Sequence, residues 1–292
     1  MIIDNKGNTW YKIGLHIHTT LSDGKKTPEE CAKIYKDAGF DAIAITDHWK
    51  YHDEDNICGL KIISGCEYNL GGSDTINGGV MHIVGVGMKN NPNVIRENAS
   101  PQSVIDSINN NGGLSILAHP HWSLNTIDDV KNLKGFGATE IYNSVSDANQ
   151  SSRPYSGYFI DALANYGIIY KLLATDDVHY YNGSDETKSF IMVKAKSLET
   201  EDILTAIKNE DYYSSQGPEL YLEKLDDKLV VDCSKCSKIM FLSNASWACD
   251  KITRGTDLTH AEYSFREFEK WIRVEVVDKD GNYAWSNIIK LK

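Results

Sequence analysis

Short apolar segments alternate with amphipathic segments over the first 217 residues, and this alternation restricts the chain to few folds. Strands that are separated by helices pair in parallel, because each helix returns the chain to the start of the next strand. We expect strands at 11–19, 41–48, 60–69, 80–88, 114–119, 139–143, 171–177 and 189–195, and helices at 28–38, 101–110, 127–133, 156–166 and 201–209. The pattern predicts an α/β fold, either a barrel or a doubly wound sheet.

Most of the apolar strand segments end in side chains that are able to bind metals or to orient metal ligands. These residues are His16, His18, Asp47, His48, Glu67, His119, Glu140 and Asp177. Active sites of parallel α/β folds lie at the carboxyl ends of the strands. Because so many strands carry such residues at this end, the pattern favours a closed barrel with a metal site at one edge.

The segment from Gly14 to Gly24 contains the most specific motif, His16 and His18 two positions apart on one strand. Positions i and i+2 of a strand share a face, so both imidazoles can bind one ion. Asp23 follows on a loop and offers an oxygen ligand; mixed nitrogen and oxygen sites accept Zn, Mn and Fe. Taken alone, the pair is equally consistent with two surface histidines.

Two further strand ends carry an acidic residue. One apolar segment ends in Asp47 and His48, and His48 is a candidate metal ligand. Asp47 either orients a neighbouring ligand or caps the next helix. Glu67 ends the next apolar segment, and a carboxylate can share its two oxygens between two ions.

The remaining candidates lie further along the chain. His82 and His119 stand on apolar strands, where a lone histidine is more often a core residue than a ligand. Asp177 and His179 repeat the i, i+2 spacing of the first motif. Since six of the nine histidines fall in such motifs, chance placement is a poor explanation.

In this order, the motifs resemble the polymerase-and-histidinol-phosphatase (PHP) superfamily over about residues 10–215. The resemblance implies a distorted (β/α)7 barrel that holds two or three divalent ions of Zn, Mn or Fe. It implies one ion on His16, His18, Glu67 and Asp177, a second on Glu67, His82 and His119, and a third on Asp23, His48 and His179. Asp176 stands where the family often has Ser, and Asp23 stands where some members have His.

The sequence changes character after Gly217-Pro218. Segments 220–232, 238–243, 271–278 and 284–291 have strand character, and Asp280-Gly281 is typical of a hairpin turn. We therefore expect a barrel domain at 1–217 and a small β-sandwich domain at 218–292. The second segment resembles the tail of CehA/McbA-like PHP proteins, and we expect it to serve packing or oligomerisation.

The expected reaction is hydrolysis of a small phosphorylated substrate, either a phosphomonoester or a small nucleotide, by a metal-bound hydroxide. Glu67 and Asp177 are the candidate catalytic metal ligands, and Asp176 is a candidate proton donor to the leaving group. Arg153, His121 and Asn143 are candidate substrate contacts, although His121 also fits a bystander. The alternative is hydrolysis of a carbamate or a carboxylic ester in the same site.

Composition restricts the partners. The net charge of −11 argues against a basic surface for a long nucleic acid. No apolar run reaches the length of a membrane span, residues 1–12 lack a secretory signal, and the six cysteines do not form a disulfide framework. We expect a cytoplasmic protein with no membrane partner, and the oligomeric state stays open.

Overall fold

A computed structural model describes residues 1–4, 6–71, 79–148 and 151–291. The helices are α1 (Pro28–Asp37), α2 (Pro101–Asn110), α3 (Ile127–Val130), α4 (Gly157–Asn165) and α5 (Thr200–Lys208). The strands up to residue 215 are β1 (Ile2–Ile3), β2 (Thr9–Gly14), β3 (Ala42–Ala44), β4 (Asn56–Ile57), β5 (Leu60–Ile63), β6 (Gly65–Gly71), β7 (Val80–Val86), β8 (Leu114–Leu117), β9 (Ala138–Asn143), β10 (Lys171–Thr175), β11 (Phe190–Lys194) and β12 (Tyr212–Ser215). The strands that follow are β13 (Leu220–Lys224), β14 (Lys228–Ser243), β15 (Ile252–Ser264), β16 (Trp271–Val277), β17 (Tyr283–Trp285) and β18 (Ile289–Lys290). The structure confirms a mixed α/β fold.

The helix starts follow from local sequence. Thr27 and Ser100 cap α1 and α2, and in each helix a proline occupies the first turn, where its missing N–H costs nothing. The sequence Thr200-Glu201 likewise predicts Thr200 as the N-cap of α5, but this is wrong by one residue, because Glu199 is the N-cap and Thr200 already belongs to the helix. Glu199 lacks a side-chain capping bond.

The described strands form two sheets. One runs in the order β13-β14-β16-β17-β12-β11-β2-β3-β5-β4, with β1 beside β2, β15 beside β14 and β18 beside β16. The other runs in the order β10-β9-β8-β7-β6.

Parallel pairing is not uniform, so the expectation of parallel strands throughout is wrong. β7 is antiparallel to both β6 and β8. His82, near the start of β7, therefore lies at the same edge as residues near the ends of other strands. Glu67 on β6 pairs with Val84, so His82 is its diagonal neighbour across the strand pair.

Two isolated bridges connect the sheets at this edge. Ile17, just after β2, pairs in parallel with Val178, just after β10, and His48, just after β3, pairs in parallel with Glu67. The backbone N–H of Asp177 also donates to the carbonyl of His16 at 2.9 Å. A closed barrel requires such links, and closure of the whole barrel stays a prediction.

The C-terminal strands continue the first sheet across the expected domain boundary. β12 precedes residue 217 and pairs with β17, which follows it. Trp271, Trp285 and Ile288 lie in one apolar cluster with Ile160 and Leu163 of α4. The boundary and the separate β-sandwich stay predictions. The long strand β15 is missing from the sequence-based expectation, because its residues are mostly polar and exposed.

No helix in the described part of the chain is both long and apolar enough to cross a membrane.

Candidate metal centre

The nine predicted metal ligands lie together at the edge where the two sheets meet. Their side chains form three groups, and the candidate ligand atoms within each group lie within 4.8 Å of one another. The groups are His16, His18, Glu67 and Asp177; Glu67, His82 and His119; and His18, Asp23, His48 and His179. These groups match the ligand sets implied by the resemblance, with His18 added to the third. That they bind ions stays a prediction.

The first group has the spacing of donors around one cation. Nε2 of His16 lies 3.2 Å from both Glu67 Oε2 and Asp177 Oδ1. Nε2 of His18 lies 2.9 Å from the same Glu67 oxygen and 3.2 Å from the same Asp177 oxygen. Donors about 2.1 Å from an ion are separated by roughly 3.0 Å in an octahedron and roughly 3.4 Å in a tetrahedron. The observed distances fit both geometries.

The second group shares Glu67 with the first but uses its other oxygen. Glu67 Oε1 lies 2.8 Å from His82 Nδ1 and 3.5 Å from His119 Nε2. The two oxygens of one buried carboxylate thus face two different sets of imidazoles. This arrangement suits a carboxylate that bridges two ions.

The third group is the most exposed of the three. Asp23 Oδ1 lies 3.4 Å from both His179 Nε2 and His18 Nδ1, and Asp23 Oδ2 lies 3.7 Å from His48 Nε2. The side chain of Asp23 is 52% exposed, whereas that of Glu67 is 1% exposed. An ion held here would exchange with solvent more readily than an ion beside Glu67.

Buried polar atoms without partners support the fit to cations. Glu67 Oε2, Asp177 Oδ1 and His48 Nδ1 are buried and make no hydrogen bond in the described part of the chain. Each unsatisfied buried polar atom costs about 1–3 kcal/mol. A cation between these atoms would satisfy several of them at once. Four other such atoms belong to Asn125, Thr175, Trp285 and Asn287.

The pKa shifts within the cluster also fit a site for cations. Burial opposes a charge on His16, but Asp177 and Glu67 outweigh burial and raise the pKa of His16 well above its ordinary value. The same balance raises the pKa of His18 to about 9. Burial opposes ionisation of Glu67 and Asp177 too, yet the charge on His16 lowers the pKa of both carboxyls. The carboxylates therefore require positive charge beside them, from protonated imidazoles or from cations.

A second layer of side chains orients the ligands. Glu140 Oε1 lies 2.7 Å from His16 Nδ1, and Glu140 Oε2 accepts a hydrogen bond from the backbone N–H of His119 at 2.7 Å. A proton on His16 Nδ1 leaves Nε2 free to bind an ion. Asn143 Nδ2 donates to Glu140 at 2.8 Å and to Asp177 Oδ2 at 3.1 Å. Asn143 is buried and positions two acidic residues of the site, and its expected contact with substrate stays a prediction.

The loop that carries Asp23 is held by Asp47. This carboxylate accepts hydrogen bonds from Thr19 and Ser22, through both backbone and side chain, and lies 2.8 Å from His52 Nε2. Of the two interpretations of Asp47, the structure favours the one in which it orients a neighbouring ligand. His52 was missed by the sequence analysis, because no local motif connects it to the cluster.

Close packing and backbone strain accompany the site. A Cβ on Gly24 would lie 2.4 Å from the carbonyl oxygen of His18, so only glycine allows the loop to approach the strand this closely. His119 and Asp177 have φ values of 28° and 52°, a region that non-glycine residues seldom adopt. Such conformations cost about 1–3 kcal/mol each and occur preferentially at functional sites.

Asp176 lies outside the three donor groups, and its expected role as proton donor stays a prediction. Its Oδ1 accepts hydrogen bonds from the N–H groups of Ser189 and Lys188 at 2.7 and 3.0 Å and from Ser144 Oγ at 3.1 Å. Its Oδ2 accepts from the Tyr35 hydroxyl at 2.7 Å. Burial raises the pKa of Asp176 to about 6, although these donors oppose the shift. The two oxygens of Asp176 thus face Tyr35, Ser144 and the backbone of residues 188–189.

Arg153 and His121 lie outside the cluster. Both side chains are exposed. Within the described residues, only their backbones make hydrogen bonds. Arg153 N donates to the Ser146 carbonyl at 2.9 Å, His121 N donates to Ser156 Oγ at 3.4 Å, and the His121 carbonyl accepts from Leu124 N at 3.2 Å. Their contact with substrate stays a prediction.

A cleft of about 330 Å³ opens onto the three groups. Trp122 is the main feature that the sequence analysis missed: its ring centroid lies 4.9 Å from that of His119 and 5.7 Å from that of His82. The only available signal was an aromatic residue in a loop that follows a candidate ligand.

A larger groove of about 920 Å³ shares no lining residue with this cleft. The residues that line the cleft are Asp23, His48, Glu67, His82, His119, Trp122, Val145, Ala148, Ser151, Asp177, His179 and Tyr180.

The fold and the clustered donors define an α/β protein with a candidate metal centre. The PHP domain family matches residues 14–154, just under half of the chain, in agreement with the motifs. This match includes seven of the nine candidate ligands, while Asp177 and His179 lie beyond it. The CehA/McbA-like branch stays a prediction.

Among solved structures, the chain is similar to a two-domain protein from Bacteroides vulgatus that contains a predicted PHP-like metal-dependent phosphoesterase. The identity is 16%, the TM-score is 0.56, and the alignment covers 99% of this chain and 98% of that one. The chain is also similar to the lesion-specific endonuclease PfuEndoQ from Pyrococcus furiosus, with 18% identity, a TM-score of 0.48 and coverage of 69% and 56%. The first likeness concerns the fold alone, and the second is too weak to support an argument. No curated protein matches the chain.

Proposed function

We propose that this chain is a metal-dependent phosphoesterase that hydrolyses a small phosphorylated substrate, either a phosphomonoester or a small nucleotide. The observation that carries the proposal is the meeting of three donor groups, two of which share the carboxylate of Glu67. His16, His18 and Asp177 would hold one ion with Glu67, and the other two groups would hold the second and third. The match of residues 14–154 to the PHP domain family supports this assignment.

The charge of the site suits a phosphate. Three divalent ions beside the carboxylates of Asp23, Glu67 and Asp177 would give a local charge of about +3. This charge would attract a phosphate dianion to a chain whose net charge is −11. Bound ions would supply an activated water and neutralise charge on the phosphoryl oxygens.

The chain's own residues prepare the site for that chemistry. Glu140 fixes the tautomer of His16 and the backbone of His119, and Asn143 holds Asp177. Asp47 fixes the loop that carries Asp23. Donors that are held in place before substrate binds need little reorganisation during the reaction.

Metal content and substrate range test the proposal together. Purified protein is analysed for Zn, Mn and Fe and then assayed with phosphomonoesters, nucleotides, carbamates and carboxylic esters in the presence of added Mn²⁺. We expect phosphate release that is lost in Asp177→Asn and retained in Asp257→Asn, a change at an exposed aspartate that contacts Lys235. Hydrolysis of carbamates or carboxylic esters without release of phosphate from any ester would overturn the proposal.

A further inference from the structure

We infer that the preferred substrate carries one phosphoryl group and, attached to it, a neutral planar group that binds against Trp122 and Tyr180. This inference rests on the proposed phosphoesterase function and specifies its substrate class. It comes from the juxtaposition of the donor cluster with further cleft residues that are mostly aromatic or apolar and include no Lys or Arg. Aryl-substituted alcohols and nucleosides that bear a single phosphate belong to this class.

Two aromatic side chains stand beside the candidate ligands. Trp122 and Tyr180 each line the cleft and are each 38% exposed. Val145 and Ala148 also line it, so the part of the cleft beyond the ligands is largely apolar. Partly exposed aromatic rings at a concave site offer flat apolar surface together with a polar edge, which suits a planar ligand.

Trp122 is held in position before any ligand binds. It lies in a turn in which Ser123 N donates to the His119 carbonyl at 3.0 Å and Asn125 N donates to the Pro120 carbonyl at 2.9 Å. Its ring also contacts the rings of His119 and His82. A preorganised aromatic surface binds a planar group without paying for the ordering of a loop.

Apart from the histidines of the donor groups, no basic side chain lines the described part of the cleft. Its twelve described lining residues include no Lys or Arg, and segments 72–78 and 149–150 contain none in the sequence. Lys25 and Arg153, which lie close in sequence to lining residues, are exposed and do not line it. Metal ions would therefore match the reacting phosphoryl group, whereas a second phosphate or a carboxylate would lack a partner.

Three phosphate monoesters test the effect of the ring and the effect of a second negative charge separately. Benzyl phosphate supplies a neutral ring, n-propyl phosphate lacks the ring, and 4-carboxybenzyl phosphate adds a second anion to it. The three alcohols have similar acidity, so the ratio of kcat/KM values reports on binding beside the phosphate more than on the leaving group. We expect benzyl phosphate to exceed each of the others by about tenfold or more.

Variants assign the preference to the two rings. Trp122→Ala and Tyr180→Ala should each lower the benzyl-to-propyl ratio of kcat/KM severalfold, and Trp122→Phe should retain most of it. Trp247→Ala is the matched control, since this tryptophan is 76% exposed and does not line the cleft. Because Trp122 contacts His119, metal content is measured in each variant, and Tyr180→Ala gives an independent result.

The outcomes distinguish this inference from the proposed function. Equal kcat/KM values for benzyl and propyl phosphate, or a benzyl preference that survives in both alanine variants, would overturn the inference while phosphoesterase activity stands. Efficient hydrolysis of 4-carboxybenzyl phosphate would overturn the argument from charge. Failure to hydrolyse any of the three esters in the metal-loaded protein would count against the proposed function itself.

Discussion

Two buried clusters of charged residues differ in how completely their polar atoms are paired. In the first, Arg273 donates to both oxygens of Asp161 at 2.6 and 2.9 Å. It also donates to Glu275, which accepts a further hydrogen bond from the Tyr155 hydroxyl. In the second, around Glu67, carboxylate and imidazole atoms stand close together and several of them make no hydrogen bond.

This difference separates a structural network from a ligand site. The Arg273 network joins β16 to α4 and to Tyr155. The positive charge of the Arg273 guanidinium is balanced by the carboxylates of Asp161 and Glu275. The cluster around Glu67 brings several buried carboxylate and imidazole atoms to common points. This arrangement is stable only if positive charge, from protonated imidazoles or from cations, balances the carboxylates. Burial alone does not distinguish the two clusters; the convergence of unpaired carboxylate and imidazole atoms on common points does.

The largest expected effect follows from removing the shared carboxylate. Glu67→Gln should lower phosphoesterase activity by about 1000-fold or more, equivalent to about 4 kcal/mol, because both ion positions lose a ligand. In the presence of EDTA, the free energy of unfolding should fall by at most about 1–3 kcal/mol, because the imidazoles lose the carboxylate charge beside them while a buried oxygen without a hydrogen bond is removed as well. Phosphate release and urea denaturation measure the two effects. A loss of stability in EDTA that exceeds the loss in Arg273→Met would contradict the comparison.

The opposite pattern is expected at Arg273. Arg273→Met should destabilise the fold by about 3–5 kcal/mol, because it leaves Asp161 and Glu275 without their partner in a buried place. Metal content per folded molecule should be unchanged. Urea denaturation followed by elemental analysis of the folded fraction checks both statements. The double variant Arg273→Met with Glu275→Leu should recover part of the stability, whereas loss of metal from the single variant would contradict the distinction.

The two clusters also differ in how far the sequence predicts them. Most candidate ligands around Glu67 follow apolar segments that end at one edge of the sheets, so their spacing carries information about position, and the family resemblance supplied the grouping into ligand sets. Arg273 lies within the apolar strand Trp271–Val277, and its partner Asp161 is 112 residues away on a helix, so no local pattern joins them. Periodicity defines the face of a strand but not what lies opposite. For that reason the antiparallel direction of β7, the place of Trp122 and the hydrogen-bond partners of Asp176 required the structure.

Glu140 provides an intermediate case, because it is buried, paired and adjacent to the ligands. Glu140→Gln keeps the size of the side chain but weakens the bond to His16 Nδ1, and it should lower metal affinity or activity by about 10- to 100-fold. Metal titration and kcat/KM measure this effect. Glu223→Gln, at an exposed position on β13, is the matched control. An effect as large as that of Glu67→Gln would show that Glu140 is itself a ligand.

The smallest effect is expected for a charge pair that is neither buried nor near the ions. Lys33 and Asp37 lie 3.1 Å apart on α1, with side chains that are 72% and 66% exposed. The aspartate lies at the end of the helix, where the helix dipole disfavours negative charge, and this order of charges is the weaker one for i, i+4 pairs. A double-mutant cycle with Lys33→Ala and Asp37→Ala should therefore give a coupling of at most about 0.5 kcal/mol. Metal content and activity should not change. A coupling energy as large as the destabilisation expected for Arg273→Met would mean that burial does not set the cost of breaking an ion pair in this chain.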